Sequence, residues 1–387
     1  MNKKELAHIR KQLKLDHELL SIYDILNVYI MKETNEIYHY ERQPFAMVER
    51  EKQELYMGNF KKLLTGELDQ KLFELKFQEA AEEPSKELLH QALVTGDPDE
   101  WHDLMILLVE KMLKDTKYER DTVITFVRGQ YSRPTMARND EAETSDKDEM
   151  FAHPFILCSI NTTETQRKTL MFDYIEREYK YNLFVDPIIK LNTPEQGFFY
   201  PSVTDNYSDV NRVLYCAGKA HEPNQHFIDT VLTADKTVTA YEEKAVFEEI
   251  VMEVAGEQIE ASTIAMVYEE IHRVIEEHQG EEPPKLDFVD VERMLTASGV
   301  ENVTKEKVER AFEAVTDDKY YEFKASSVIP KYTTKSIKIE TKVATISVSP
   351  QDLRYIRQVN FQGKRCVMIE VDEDVVIEGF TLNSETL

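Results

Sequence analysis

Leu6, Ile9 and Leu13 recur at three- and four-residue intervals, so the spacing predicts a short amphipathic helix at the start of the chain. From Ser21 to Met31 the texture changes to Ile, Val and Tyr, and Ile37 to Tyr40 resembles it; Lys32 to Glu36 reads as a hairpin connection. A polar helix is expected from about Val48 to a stop at Gly66, and another from Lys86, after Pro84 and Ser85. Asp97, with Pro98 next and Glu100 three later, has the spacing of a capping box before a helix carrying Trp101, Leu104, Leu108 and Met112. Val123 to Val127 predicts a strand that ends at Arg128-Gly129.

No hydrophobic period runs through Arg138 to Glu149, which holds six acids and one lysine after Arg138 and reads as an exposed loop. Phe155 to Ile160, Tyr181 to Val185, Gly197 to Tyr200 and Val210 to Cys216 predict strands of a second sheet. At Tyr241 the period becomes helical. Val246, Ile250 and Val254 share one face, and Ile264, Val267, Ile271 and Val274 share the next. Two shorter helices follow, Phe288 to Leu295 and Lys305 to Val315, split by Gly299. Beyond Tyr320 apolar residues fall two apart, at Ile337/Ile339, Ile346/Val348, Val359/Phe361, Val367/Ile369 and Val375/Ile377, the spacing of half-buried strands. The expected class is α+β. Its predicted parts are an N-terminal α+β domain (1–138), an acidic linker or loop (139–150), a middle β-rich region (151–240), an acidic helical segment (241–320) and a C-terminal β-rich module (321–387).

Composition narrows this picture. In 387 residues, 42% hydrophobic and 10% aromatic content is enough to bury cores, which argues against global disorder despite 31% charged residues. Cys158, Cys216 and Cys366 are odd in number and far apart, so neither a disulfide framework nor a CxxC metal knuckle is expected. The opening segment is charged and amphipathic, and Leu104 to Val109 is too short an apolar run to span a bilayer, so the reading is a cytoplasmic protein with no membrane partner. Net charge is −26 and unevenly spread. Tyr241 to Glu282 carries 13 acids against Lys244 and Arg273, whereas Lys331 to Lys342 carries four lysines and one glutamate. Such a field disfavours nucleic acid and favours solubility or a basic partner, and a protein partner or self-association is expected.

Candidate chemistry is sparse. There is no Gly-rich phosphate loop, GxSxG elbow or HExxH helix. Glu87/His90 and Glu269/His272 have the ExxH spacing of di-iron bundles, but chance pairs are expected in so glutamate-rich a chain, and neither a metal nor another cofactor is predicted. Glu322-Phe323-Lys324 and Glu340-Thr341-Lys342 place an acid and a lysine on one strand face, as metal-dependent nucleases do; any strand with a wet face produces the same pattern. Lys331, Lys335, Lys338 and Lys342 form a stripe that suits a phosphate backbone, against the plainer reading of a lysine-protected edge strand. Arg128, Arg133 and Arg138 flank the acidic loop and suit an anion, or the neutralisation of their own neighbours. Phe288 to Val315 loosely has the form of a helix-turn-helix, but its second helix is as acidic as basic, so a packed helical hairpin is the better reading.

Met1-Asn2-Lys3-Lys4-Glu5, Ile9-Arg10-Lys11-Gln12, Arg128-Gly129-Gln130-Tyr131 with Pro134, and Gly197-Phe198-Phe199-Tyr200-Pro201 carry one resemblance. On these residues and the β-rich tail the chain resembles the bacterial domain-of-unknown-function family 4317 over nearly its whole length, with Ser132 where an acid is expected. That resemblance implies no activity. The layout of strands, acidic helices and β-rich tail is also similar to the bacterial nucleoid-associated protein family. Together these readings predict a non-enzymatic binding or scaffolding protein, linked to nucleic acid or to the proteins that bind it. The alternatives are a metal-dependent enzyme acting on phosphodiesters and an acidic DNA mimic that occupies a basic partner.

Overall fold

A computed structural model describes residues 1, 3–79, 84–114, 116–134, 150–164, 169–182, 186–204, 207–235, 237–256, 259–278, 284–329, 337–372, 375–377 and 380–381. The chain divides into two units, Met1–Thr239 and Ala240–Leu387. The fold is α+β with antiparallel sheets. No helix among the described residues is long and apolar enough to cross a membrane.

The first unit is built on one large sheet. Its strands are β1 (Leu20–Met31), β2 (Glu36–Pro44), β3 (Leu72–Lys76), β4 (Thr122–Pro134), β5 (Met150–Glu164), β6 (Thr169–Asp173), β7 (Glu178–Asn182), β8 (Ile188–Ile189), β9 (Gln196–Tyr200), β10 (Ser202–Thr204), β11 (Tyr207–Asp209) and β12 (Arg212–Ala217). The sheet runs β2-β1-β4-β5-β9-β12-β3, with β8 paired to β5; β6–β7 and β10–β11 are separate hairpins. The helices are α1 (Lys3–Gln12), α2 (Arg50–Leu63), α3 (Ser85–Val94) and α4 (Pro98–Leu113), with a π-helical turn at Phe227–Leu232.

Alternation along the strands sorts side chains onto two faces. Leu26, Val28 and Ile30 of β1 pack with Phe126, Ile156, Phe198 and the α3–α4 residues Leu89, Trp101, Met105 and Leu108. Ile25 turns the other way and joins Val127, Leu157 and Phe199 under Leu6, Ile9, Met57 and Phe60 of α1 and α2. The sheet is thus sandwiched between two helical layers, each fully buried large side chain contributing roughly 1.5–3 kcal/mol.

Two sequence expectations differ from this arrangement. A second sheet was expected beyond residue 150, yet β4 and β5 pair continuously from Thr122↔Thr162 to Pro134↔Met150, so 1–138 and 151–240 contribute to one sheet and one unit. The expected linker falls almost wholly on residues 135–149, outside the described residues, as does most of the Tyr181 to Val185 strand. Strand β3, unforeseen in a stretch read as hairpin plus helices, closes the sheet at its far edge beside β12. Two close approaches fall at glycines of the quoted segments. A Cβ on Gly129 would meet the Ser21 carbonyl oxygen at 2.3 Å, and one on Gly197 the Cys158 carbonyl oxygen at 2.1 Å. The Tyr200-Pro201 peptide is cis.

In the second unit α5 (Ala240–Ala255), α6 (Ala261–Glu277), α7 (Phe288–Ala297), α8 (Lys305–Thr316) and α9 (Ala325–Val328) enclose one core with the short pair β13 (Lys285–Leu286) and β14 (Phe323–Lys324). Phe247, Ile250, Ile271, Val291, Leu295, Val308 and Phe312 meet there, so α7 and α8 are a packed hairpin. Asp287 closes a capping box with Asp290 at the start of α7. Phe323, Val328 and Leu353 enter the same core, which joins the helical segment to the beginning of the tail. Beyond it lie three two-stranded hairpins: β15 (Ile337–Glu340) with β16 (Thr345–Val348), β17 (Ile356–Phe361) with β18 (Lys364–Ile369), and β19 (Val376–Ile377) with β20 (Phe380–Thr381). Gln362 and Gly363, at φ 49° and 77°, make the tight turn expected between β17 and β18.

Candidate binding surfaces

Register across the large sheet lines up polar residues that no local pattern singles out. Glu41, Asn27, Thr125, Ser159 and Gly197 are consecutive cross-strand partners on β2, β1, β4, β5 and β9. The neighbouring row is His39, Tyr29, Val123 and Asn161. Directly paired residues share a face, so both rows lie on the side covered by α1 and α2. Tyr56 and Asn59, three apart on α2, come down onto them. Thr125, Ser159, Asn161 and Asn59 are buried, where an unbonded polar group would cost about 1–3 kcal/mol.

These groups satisfy one another in two sets. Thr125 Oγ1 donates to Asn27 Oδ1 at 2.8 Å, and Asn161 Nδ2 to Ser159 Oγ at 3.2 Å. Asn59 Nδ2 donates to Asn161 Oδ1 and to the Leu191 carbonyl, both at 2.7 Å. The Asn59 Oδ1 acceptor has no partner among the described residues. At the open end of the rows is a cleft of about 210 Å³, walled by Tyr29, His39, Glu41 and Tyr56, with Leu191 and Ile189 closing one side. Burial, then the 2.7 Å hydrogen bond to Asp121, pushes the Tyr29 phenol up to about 12. Burial also raises Tyr56, against a hydrogen bond from Asn27 that lowers it, with nearby Glu41 adding to the rise.

A larger cleft of about 600 Å³ opens at the end of β3, where Lys76 and Arg212 line it with Glu79 and Asp209. Lys86 lines it as well; of these cations Lys76 pairs with Glu79 at 2.9 Å, and Arg212 with Asp209 and Glu74 at 3.4 Å each. Glu74 also accepts from the Met1 ammonium at 2.6 Å and from the Ser202 hydroxyl. Burial works to raise the Glu74 carboxyl, but these partners outweigh it and hold it below the usual carboxylate range.

The hairpin β6–β7 presents an unlike surface. Leu170, Met171, Phe172, Tyr174, Ile175 and Tyr179 are all exposed on a ribbon of two strands, Tyr174 and Ile175 at 86% and 93%. Phe172 lies edge-on to Tyr174 and to Tyr179, ring centroids 5.3 Å apart in both cases. The turn is tied by polar contacts. Asp173 accepts from the Ile175 and Glu176 amides, which, with Lys180, keep its carboxyl below its ordinary range. Lys180 in turn reaches Asp173, Glu176 and Glu178 within 3.3 Å. Residues 169–182 thus carry three acids and two bases that largely neutralise one another.

Most residues singled out from the sequence lie elsewhere. Arg128 donates to Asp24 at 2.7 Å and to the Thr95 carbonyl at 3.0 Å, its guanidinium 5.2 Å from the Trp101 ring centroid. Arg133 is on β4, and Arg138 lies outside the described residues. Lys338 and Lys342 are exposed on and beside β15, with exposed Glu340 between them; Lys331 and Lys335 lie outside the described residues. Glu322 pairs with Lys285 at 2.8 Å, and the Lys324 amide donates to Glu243. Glu87/His90 and Glu269/His272 sit on α3 and α6. No group of three or more His, Cys, Asp or Glu among the described residues could hold a metal ion. The polar rows went unseen in the sequence because Asn27, Thr125 and Asn161 are each an ordinary polar strand position; only long-range register joins them.

A model of the family described as a domain of unknown function, DUF4317, matches residues 1–380. No curated protein matches the chain.

Proposed function

The chain belongs to the DUF4317 family of domains of unknown function, and from the surfaces it presents we propose that it is a non-enzymatic binding protein that self-associates through the β6–β7 ribbon. One observation carries this reading: six large apolar side chains stand exposed together on a two-stranded hairpin. Isolated hairpins are marginal in water, and clustered apolar exposure of this kind marks an association surface. The local charge of the ribbon permits a second copy as the occupant. Two chains of net charge −26 repel, and a nearly neutral ribbon is where they can approach. Its outer strand edges, unpaired among the described residues, allow the symmetric strand-to-strand contact of a twofold dimer. A basic protein partner would instead be drawn to the acidic segment from Tyr241 to Glu282.

A photo-crosslinking residue placed at Tyr174 tests the contact. The expected product is a covalent dimer whose cross-linked peptides both derive from residues 169–182. Cross-links that map elsewhere on a second copy, or none at concentrations up to the millimolar range, overturn the assignment.

A further inference from the structure

Independently of self-association, we propose that the cleft over the polar rows of the large sheet binds a small organic cation, an alkylammonium group a few carbons across. Three features of the lining select that class. Among the described residues its lining holds one carboxylate, Glu41, which is exposed and has no ion-pair partner there. No lysine or arginine among the described residues lines the cleft, so a carboxylate or phosphate ligand would meet Glu41 with no cation there to offset the repulsion. The walls are the rings of Tyr29 and Tyr56, half-buried, with His39 beside them. Aromatic faces next to a carboxylate are the combination that attracts an ammonium by ring quadrupole and charge together.

Hydrogen bonding fixes how the site is held. Asn27 accepts from Thr125 at 2.8 Å and Tyr29 donates to Asp121 at 2.7 Å, so the polar floor and the Tyr29 ring are anchored before any ligand arrives. Asp121, which also accepts from the Lys32 amide at 3.0 Å, adds a second carboxylate behind Tyr29. Anchored walls reduce the ordering cost of binding, which favours recognition of a small ligand that makes few contacts. At about 210 Å³ the space suits an alkylammonium group and is below the usual range for larger ligands.

Calorimetric titration of the full chain with tetramethylammonium, butylammonium and, as a neutral polar control, glucose tests the assignment. Saturable binding of an ammonium salt is expected, weakened about tenfold in Glu41→Gln and several-fold in Tyr56→Leu, with glucose silent. Because Glu41 is exposed, Glu41→Gln should keep the wild-type melting temperature, which separates loss of binding from loss of fold. Absence of ammonium binding at tens of millimolar overturns the proposal. So does equal binding by wild type and Glu41→Gln, or binding of glucose without either ammonium ion. None of these outcomes depends on whether the β6–β7 ribbon associates.

Discussion

Three contacts converge on Arg128. It neutralises Asp24 on the paired strand, caps the carbonyl of Thr95 just past α3, and lies over Trp101 of α4. The two charged side chains are only 13% and 11% exposed, so removing one leaves the other buried and unpaired. Arg128→Met is expected to lower stability by about 3 kcal/mol, and adding Asp24→Asn to cost less than the sum of the single changes. Urea denaturation of the four proteins measures this; a near-neutral Arg128→Met would show that the pair contributes nothing. From the sequence, Arg128 was readable as an anion ligand or as a neutraliser of its neighbours. What decides is its cross-strand partner, 104 residues away, which no local pattern exposes. Glu74 offers a pH-dependent test. Its partners depress its pKa in the folded state, so its contribution is present above the ordinary carboxylate range and fades as pH falls through the folded value. Glu74→Gln should therefore cost about 1–2 kcal/mol at pH 7, with the gap from wild type narrowing as acid titrates the folded-state carboxylate. A gap that acid leaves unchanged down to the lowest pH at which the fold persists would assign the loss to packing.

Elements were legible where their cause is local. The α4 start is one example: Asp97 does cap it, accepting from the Asp99 amide at 2.9 Å. Glu100, expected to complete the box, instead accepts from Gln91 and Thr95 and ties α4 to the end of α3. Asp97→Ala should cost about 1 kcal/mol in thermal or urea unfolding, as loss of a single cap does; a change below a few tenths would mean the cap is idle. The amphipathic faces of α5 and α6 were equally readable, because Ile250, Val254, Val267 and Ile271 are in the core as their 3.6-residue period requires. The tail strands show the limit of such reasoning. Their two-residue alternation was visible, yet Val367, Met368 and Ile369 are exposed, because no second layer among the described residues covers these positions of the two-stranded hairpin. Strand β3 and the polar rows depend on pairing between distant segments, which alternation cannot report.

At the scale of the whole molecule, charge and apolar exposure oppose one another. Two chains of net charge −26 repel over a distance set by salt, whereas the β6–β7 ribbon attracts through apolar contact that salt does not screen. Raising ionic strength should therefore tighten self-association. Binding to nucleic acid through Lys338 and Lys342 would show the reverse, since released counterions make such affinity fall with salt. The measurement that bears most directly on the proposed function is sedimentation equilibrium of wild type and Ile175→Asp at about 50 and 300 mM salt. Wild type is expected to show a monomer–dimer equilibrium that shifts toward dimer at the higher salt, and Ile175→Asp to associate at least about tenfold more weakly with an unchanged fold. A wild type that stays monomeric at both salts, or a variant that dimerises as tightly, would contradict it.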